Sequence, residues 1–329
     1  MKKLRAFILA AGEGTRLRPL TEATPKPLMP VFHKPLMTFA LDNLLAAGVE
    51  EVAFNTRYLS EKFYHEFSIK QTASLQGVGN YHNHPIKVFR ELEHLDSAGA
   101  LRNARSFLEQ GTFLIHNGDI FSDISLKELI AHHRASGALA TLLLRENEGI
   151  LNVHFDEKNN RIVDLRNRFQ KNHSVPAFAF ASVAVAEPRL LDWIRPNEGP
   201  ASTIDALIDA MKAGEHIAGF VSRTGFWSDL GTPQDYLQIH LTIAKTDPEK
   251  KWGTAYWNKN SNAPWPIAID PSACIHPSTK LDGTVVIGAE AIIERDSQLH
   301  NCVILPGSII KAGSNLSHSI ISPTTIITP

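Results

Sequence analysis

Seven aliphatic residues, Ile269, Ile275, Leu281, Ile287, Ile293, Leu299 and Leu305, recur at every sixth position without a miss. No α-helix accommodates that period, because a helix brings residues three, four and seven apart onto one face. The period suits a parallel β-helix, in which each side of a triangular coil takes about six residues and turns one aliphatic side chain inward. Small or turn-forming residues flank the repeat at Ala273, Gly288, Ala289, Gly307 and Gly313. The phase slips by one near Pro306, and Ile304, Ile310 and Leu316 continue the count. Cys274 and Cys302 fall inside the repeat and are expected to be small core residues. Two cysteines give neither a disulfide framework nor metal-ligand spacing, and they suit a reducing cytoplasm.

The preceding residues, 1 to about 245, follow another pattern. Arg5 to Ala10 is a continuous apolar run, as a buried parallel strand should be. Further strands are expected at Glu51–Asn55, Thr112–His116, Leu139–Leu144 and Ala177–Val185. A helix is expected over Leu36–Ala47, stopped by Gly48. A second begins at Ser125, whose spacing to Glu128 is that of a capping box, and a third at Thr232-Pro233-Gln234-Asp235. Strands alternating with helices argue for a doubly wound, Rossmann-like α/β sheet. The three parts are then a domain over 1–245, a linker over 246–265 and a β-helix over 266–329. Trp252, Trp257 and Trp265 are read as linker packing.

Lys and Arg number 33 against 34 Asp and Glu, so a general surface for nucleic acid or another polyanion is excluded and any cation cluster is local. The basic start before AFILAA is too short in its apolar run for a signal peptide, and no stretch approaches the ~20 apolar residues of a membrane span. A cytoplasmic protein follows as the expectation.

The first strand runs into Gly12-Glu13-Gly14, where small residues let backbone N–H groups approach a phosphate. Leu17 stands where a dinucleotide fingerprint needs glycine, and no Gly-Lys-Ser/Thr of a Walker loop is present. Thr15, Arg16 and Lys26 follow instead, among Pro19, Pro25 and Pro27, which restrict the loop. Arg16 can make forked contacts to phosphate oxygens and Lys26 can act as a point charge, as a polyphosphate beside a second anion requires. His82 and His84 read as loop residues, and His132 and His133 as lying on the exposed side of their helix.

Gly-x-Gly-Thr-Arg-x-Arg-Pro-Leu-Thr, then Pro-Lys-Pro-Leu and Pro30-Val31, closely resembles the sugar-phosphate nucleotidyltransferases, or nucleoside-diphosphate-sugar pyrophosphorylases. The resemblance covers nearly the whole chain. It implies nucleotide binding by Leu9, Ala10, Ala11, Gly12, Gly14 and Thr15, with Arg16 and Lys26 as the catalytic cations. Asn117-Gly118-Asp119 resembles the family's first metal segment, with Asn117 and Gly118 at the nucleotide. WSDLGTPQDYL resembles the second, so Asp119 and Asp229 become the expected ligands of Mg²⁺, whose preference is for oxygen donors. Ser97 to Leu101 resembles the segment against the nucleobase and places Ala98 and Gly99 there. The implied reaction passes a nucleoside monophosphate from an NTP to a sugar 1-phosphate, by positioning and charge stabilisation without a covalent intermediate.

Two segments depart from the family pattern. Asn167-Arg168-Phe169 aligns with a usual Glu-Lys-Pro, so Arg168 keeps the charge that meets the sugar phosphate while the carboxylate is lost. Ser182 aligns with a usual glycine beside the sugar. SAGAL, GTPQDYL and the repeat tail look closest to mannose-1-phosphate guanylyltransferases, in which the β-helix is left-handed, whereas LAAG is commoner in uridylyl enzymes. GTP with mannose 1-phosphate is the leading expectation. UTP with an amino-sugar or hexose 1-phosphate is the alternative, and thymidylyl transfer the third. A non-catalytic regulatory subunit that binds nucleotide sugar is the reading from another class, and homo-oligomerisation is expected of the β-helix. A β-helix acyltransferase using His276, His300 or His318 would need a longer coil.

Overall fold

The apolar run near the N-terminus forms strand β1 (Arg5–Leu9), whose Ala6, Phe7 and Ile8 are wholly buried. The structure, a computed structural model, describes residues 3–73, 75–169, 174–195, 199–246 and 264–329. The chain divides into two units, one of Met1–Gly12 and Phe39–Trp227, the other of Glu13–Thr38 and Ser228–Pro329. The expected linker lies mostly outside the described residues, Trp252 and Trp257 with it.

The first unit is built on a mixed sheet. After β1 come β2 (Glu51–Thr56), β3 (Lys70–Ala73), β4 (Gln76–Tyr81), β5 (His84–Arg90) and β6 (Phe113–Asn117). Then follow β7 (Ala140–Arg145), β8 (Leu151–Asp156), β9 (Arg161–Leu165), β10 (Ala177–Ala186) and β11 (Ile217–Val221). The order is β9-β8-β10-β6-β1-β2-β5-β4-β3, with β7 pairing both β10 and β11. Only β6-β1-β2-β5 is a continuous parallel block at the centre, as a double winding requires. Its flanks are antiparallel: β10 against β6 on one side, and the β5–β4–β3 meander on the other. Tyr81 and His84 close the β4–β5 hairpin over His82 and Asn83, both at positive φ.

Helix boundaries follow local chemistry with one exception. The helix Leu36–Ala46 ends before Gly48, at φ 89°. The helix Pro233–Ile243 starts on a full capping box, in which Thr232 and Asp235 exchange bonds through side chain and backbone. The helix Leu126–Ser136 does start after Ser125, but the Ser125 side chain makes no cap bond. Its His133 is buried rather than exposed, with Nδ1 2.8 Å from Thr141 Oγ1 and Nε2 3.2 Å from Glu187 Oε1. Both ring nitrogens are thereby satisfied inside the protein, which makes its burial tolerable.

Within the second unit, the repeat forms three parallel ladders. One stacks Ile267–Ile269 on 285–287 and 302–304, another stacks Cys274–Ile275 on Ile292–Ile293 and Ile309–Ile310, and the third stacks 280–282 on 298–300 and Asn315–Ser317. Ile287, Ile293, Leu299, Ile304 and Ile310 meet inside. Ladder partners stand eighteen residues apart up to Asp282↔His300 and seventeen from Val285↔Cys302 onward. The phase slip therefore sits at Asn301, not near Pro306, and Ile304 rather than Leu305 is the inward residue. Asn301 Oδ1 fills the gap by accepting the Thr284 N–H at 2.9 Å, beside Gly283 at φ 66°, where an added Cβ would come within 2.4 Å of that oxygen. Cys302 is buried as expected, whereas Cys274 is exposed, because it precedes the inward Ile275 by one residue and points to the opposite face. No helix among the described residues is long and apolar enough to cross a membrane.

Candidate functional site

In the first unit, candidate residues gather at the carboxyl ends of the central parallel strands, where open α/β sheets bind ligands. Leu9 ends β1 and faces Asn117, the last residue of β6, in register. Gly118 N–H donates to Leu9 O at 2.8 Å. A Cβ at Gly118 would stand 3.2 Å from Ala10 Cβ, Ile8 Cγ2 and Leu9 O, so any larger residue would push the two turns apart by a few tenths of an ångström. Leu9 and Ala10 thus lie beside Asn117 and Gly118, with Ala11 and Gly12 next along the one turn and Asp119 next along the other. Asp119 is half-buried in the turn after β6. His116, fully buried beneath that turn, has its pKa pushed down to about 4 by desolvation, against smaller raising effects from the Asn117 carbonyl and the Asp119 charge.

Ala98 and Gly99 lie buried in the helix Asp96–Asn103. Their N–H groups both donate to Ala201 O, at 2.7 and 3.2 Å, so these backbone donors are already engaged within the protein. Arg168 is exposed and pairs with Asp205 at 3.2 Å. Its loop is shaped by the buried Asp164, whose carboxylate accepts the N–H groups of Arg168 and Phe169, while Arg166 and Asn167 take positive φ.

Ser182 sits mid-strand at φ 59°, in a bulge where the one residue between Leu142 and Leu144 lies opposite the three between Ala184 and Phe180. The backbone there is of the kind that favours glycine, which gives the family's usual residue a conformational reason. The bulge also turns Ala181 O toward Trp227 Nε1, 2.9 Å away. Left-handed strain on a non-glycine residue costs ~1–2 kcal/mol, against ~0.5–1 kcal/mol of backbone entropy for a strand glycine. Ser182→Gly is therefore expected to hold or raise stability, by up to about 1 kcal/mol, in urea unfolding. A clear loss would mean that the serine side chain compensates its strain.

In the second unit, the turn after Gly12 carries the cations. Gly14 adopts φ 63°, and a Cβ on it would meet Lys26 Cβ at 2.9 Å and Thr21 Cγ2 at 3.1 Å, so glycine is needed twice over. Leu17 N–H and Thr21 Oγ1–H both donate to Gly14 O, which holds Thr15 and Arg16 on a short 3₁₀ turn. Lys26 is buried to 4% exposure, and its Nζ donates to Asp229 O at 2.6 Å. Arg16 Nη2 lies 3.5 Å from Asp229 Oδ2. Arg16, Lys26 and Asp229, separated by two hundred residues of sequence, are thus brought together.

The helix Pro233–Ile243 braces this arrangement. Tyr236 OH donates to Pro30 O, and Phe32 N–H donates to His240 Nε2 at 3.0 Å. His240 Nδ1–H donates to Tyr236 O at 2.8 Å, so the ring is neutral, and burial lowers its pKa to about 4. Phe32 stacks on Trp265, ring centroids 5.0 Å apart, and Trp265 Nε1 donates to Ala244 O, which is packing rather than a binding platform. Sequence reasoning missed this brace and also missed Asn55 and Glu91, both buried at the ends of β2 and β5. A polar residue closing an apolar strand, as in EVAFNT, was the available signal.

A glycine turn after a central parallel strand, carrying cations and followed at the C-terminus by a hexapeptide-repeat coil, defines a nucleotide-handling α/β protein with an appended β-helix. The chain belongs to the nucleotidyl transferase family, whose model matches residues 5–246. A second model, the GMPPB C-terminal domain, matches residues 264–329. The chain is 29% identical to a mannose-1-phosphate guanylyltransferase of Mycobacterium tuberculosis, over 94% of this chain and 81% of that protein. It is 24% identical to a UTP–glucose-1-phosphate uridylyltransferase of Synechocystis, over 97% of this chain and 87% of that protein. Its fold is similar to that of a Bacillus anthracis protein assigned as a glucose-1-phosphate thymidylyltransferase, with TM-score 0.61 and 17% identity over 74% of this chain and 96% of that one. The protein is a nucleotidyltransferase.

Proposed function

We propose that the protein transfers a nucleoside monophosphate from an NTP to a sugar 1-phosphate, releasing pyrophosphate, with GTP and mannose 1-phosphate as substrates. The observation that carries this reading is the convergence of Arg16 and Lys26 on Asp229, behind a turn that Gly14 alone can make. The guanylyltransferase similarity and the SAGAL and GTPQDYL segments support the choice of base and sugar.

In the proposed mechanism, the sugar-phosphate oxygen attacks the α-phosphorus in line and pyrophosphate departs. Leu9, Ala10, Ala11, Gly12, Gly14 and Thr15 border the nucleotide's phosphates, Asn117 and Gly118 border the nucleotide, and Ala98 and Gly99 line the base. Arg16 and Lys26 offset the charge that develops on the phosphoryl oxygens and the leaving group. Arg168 and Ser182 border the sugar phosphate.

Members of this family generally use a divalent metal, and Asp119 and Asp229 are the proposed ligands of Mg²⁺. The described residues contain no group of three or more His, Cys, Asp or Glu suited to a metal. That fits Mg²⁺, which commonly takes one or two carboxylates and completes its shell with substrate phosphates and water. When bound, it supplies Lewis-acid charge to the phosphate oxygens.

A catalytic domain over 1–245, a linker over 246–265, a left-handed coil over 266–329, a homo-oligomer and a cytoplasmic setting complete the proposal. The test is pyrophosphate release from each NTP with Mg²⁺ and a panel of hexose 1-phosphates. Turnover with GTP and mannose 1-phosphate is expected. Activity only with UTP or dTTP would move the base assignment, and binding of nucleotide sugar without turnover would favour a regulatory subunit.

A further inference from the structure

Asn55 belongs to no motif, yet it is 4% exposed at the end of β2, beside the point where the chain leaves β1. The β1–β2 register runs out at Ile8↔Phe54. Beyond it, the Ala10 N–H is taken by a side chain: Asn55 Oδ1 accepts it at 2.7 Å, in a buried bond. Asn55 Nδ2 then donates to Glu91 Oε1, also at 2.7 Å. Glu91 is 5% exposed, and its own N–H donates to Thr56 O at 2.8 Å. Desolvation raises the Glu91 pKa, while the Asn55 bond, the Arg57 and His94 charges and the Leu95 backbone bond lower it. Leu95 immediately precedes the helix that carries Ala98 and Gly99.

We propose that Asn55 is a positioning residue for nucleotidyl transfer: its amide fixes where Ala10 leaves β1 and ties that point, through Glu91, to the base-facing segment at 95–99. The inference rests on the nucleotidyltransferase reading of the turn. Both amide groups are used, one as acceptor and one as donor, so neither an apolar residue nor an ionised carboxylate of this size serves both partners. Asparagine thus sets the spacing between the end of β1 at Ala10 and the base-facing helix, all within one unit of the chain.

The test compares wild type, Asn55→Ala and Asn55→Asp by pyrophosphate release across pH. Asn55→Ala is expected to lose about 10²-fold in kcat/KM for the nucleotide, as a misplacement of about 1 Å does, with a much smaller change in KM for the sugar phosphate. Asn55→Asp sets a second carboxylate against Glu91, so the pair cannot both ionise at that distance. Its activity relative to wild type should be low near about pH 8.5 and recover toward about pH 6, where one shared proton restores a donor to Glu91. Arg57 and His94 face the same carboxylate and act equally in wild type, so the ratio isolates the substitution. A folded Asn55→Ala with wild-type kcat/KM, or an Asn55→Asp ratio flat with pH, overturns the inference alone. Should Asn55→Ala not fold, the Asn55→Asp profile decides. A wild type inactive with every nucleotide overturns the reading of the turn itself, and this inference with it.

Discussion

Asp119→Ala is expected to lose nucleotidyl transfer by about 10³-fold or more while keeping its fold. The two halves of that expectation have separate causes. Asp119 is half-buried in a turn whose geometry is fixed by its neighbour, through the Gly118 N–H bond to Leu9 O and the close approach of Ala10 and Ile8 to Gly118. Truncating a partly exposed turn carboxylate should change stability by no more than about 1 kcal/mol. Chemistry has no such margin, since in the proposed role Asp119 is one of only two carboxylates holding Mg²⁺ against the phosphates. His116 does not complicate the result. Its pKa of about 4 is set mainly by desolvation, and removing the Asp119 charge lowers it further, so the ring is neutral at working pH in both proteins. The measurement is steady-state pyrophosphate release alongside thermal unfolding, with Asp119→Asn as an isosteric companion. Near-normal turnover in either variant would remove Asp119 from the metal site.

The parts of this molecule that the sequence made legible are those in which one physical demand dominates. β1 had to be apolar past Arg5 because it lies at the centre of the sheet with both faces covered, and the wholly buried Ala6, Phe7 and Ile8 show that directly. The β-helix had to place one aliphatic residue inward on each side, and the six-residue count followed. Where two demands compete, the reading slipped. Leu305 and Ile304 are adjacent and both apolar, and only the Asn301 side chain replacing a ladder bond shows where a residue was lost. His133 looks like an exposed polar residue until Thr141 of β7 and Glu187, just past β10, meet its ring. The antiparallel flanks were invisible for a related reason, since pairing direction is set by which strands meet rather than by either strand alone. The candidate site divides the same way. Gly14, Arg16 and Lys26 form a local signature, while the bond of Lys26 to Asp229 O spans 203 positions and has no local trace.

Arg16→Ala should separate catalysis from stability most cleanly. The Arg16 side chain is 68% exposed and its Asp229 partner 42%, with 3.5 Å between them. An ion pair that open to water contributes between nothing and about 1 kcal/mol, so unfolding should scarcely move. Lys26 presents the opposite case: it is buried, and its ammonium satisfies a backbone carbonyl, so its removal would disturb the turn and confuse the readout. Arg16 is poised near Asp229 without being committed to it, as a group must be if it is to exchange a weak contact for a phosphate oxygen as charge develops. Loss of such a partner typically raises the barrier by about 3–4 kcal/mol, or roughly 10²–10³-fold in kcat. Arg16→Lys should recover only part of this, because an ammonium keeps the charge but not the forked geometry. The discriminating result is a fall in kcat larger than the rise in KM for the nucleotide, with an unchanged unfolding midpoint. An equal loss of stability would make Arg16 a structural clamp on the 228–231 segment, and a change in KM alone would make it a ground-state binder.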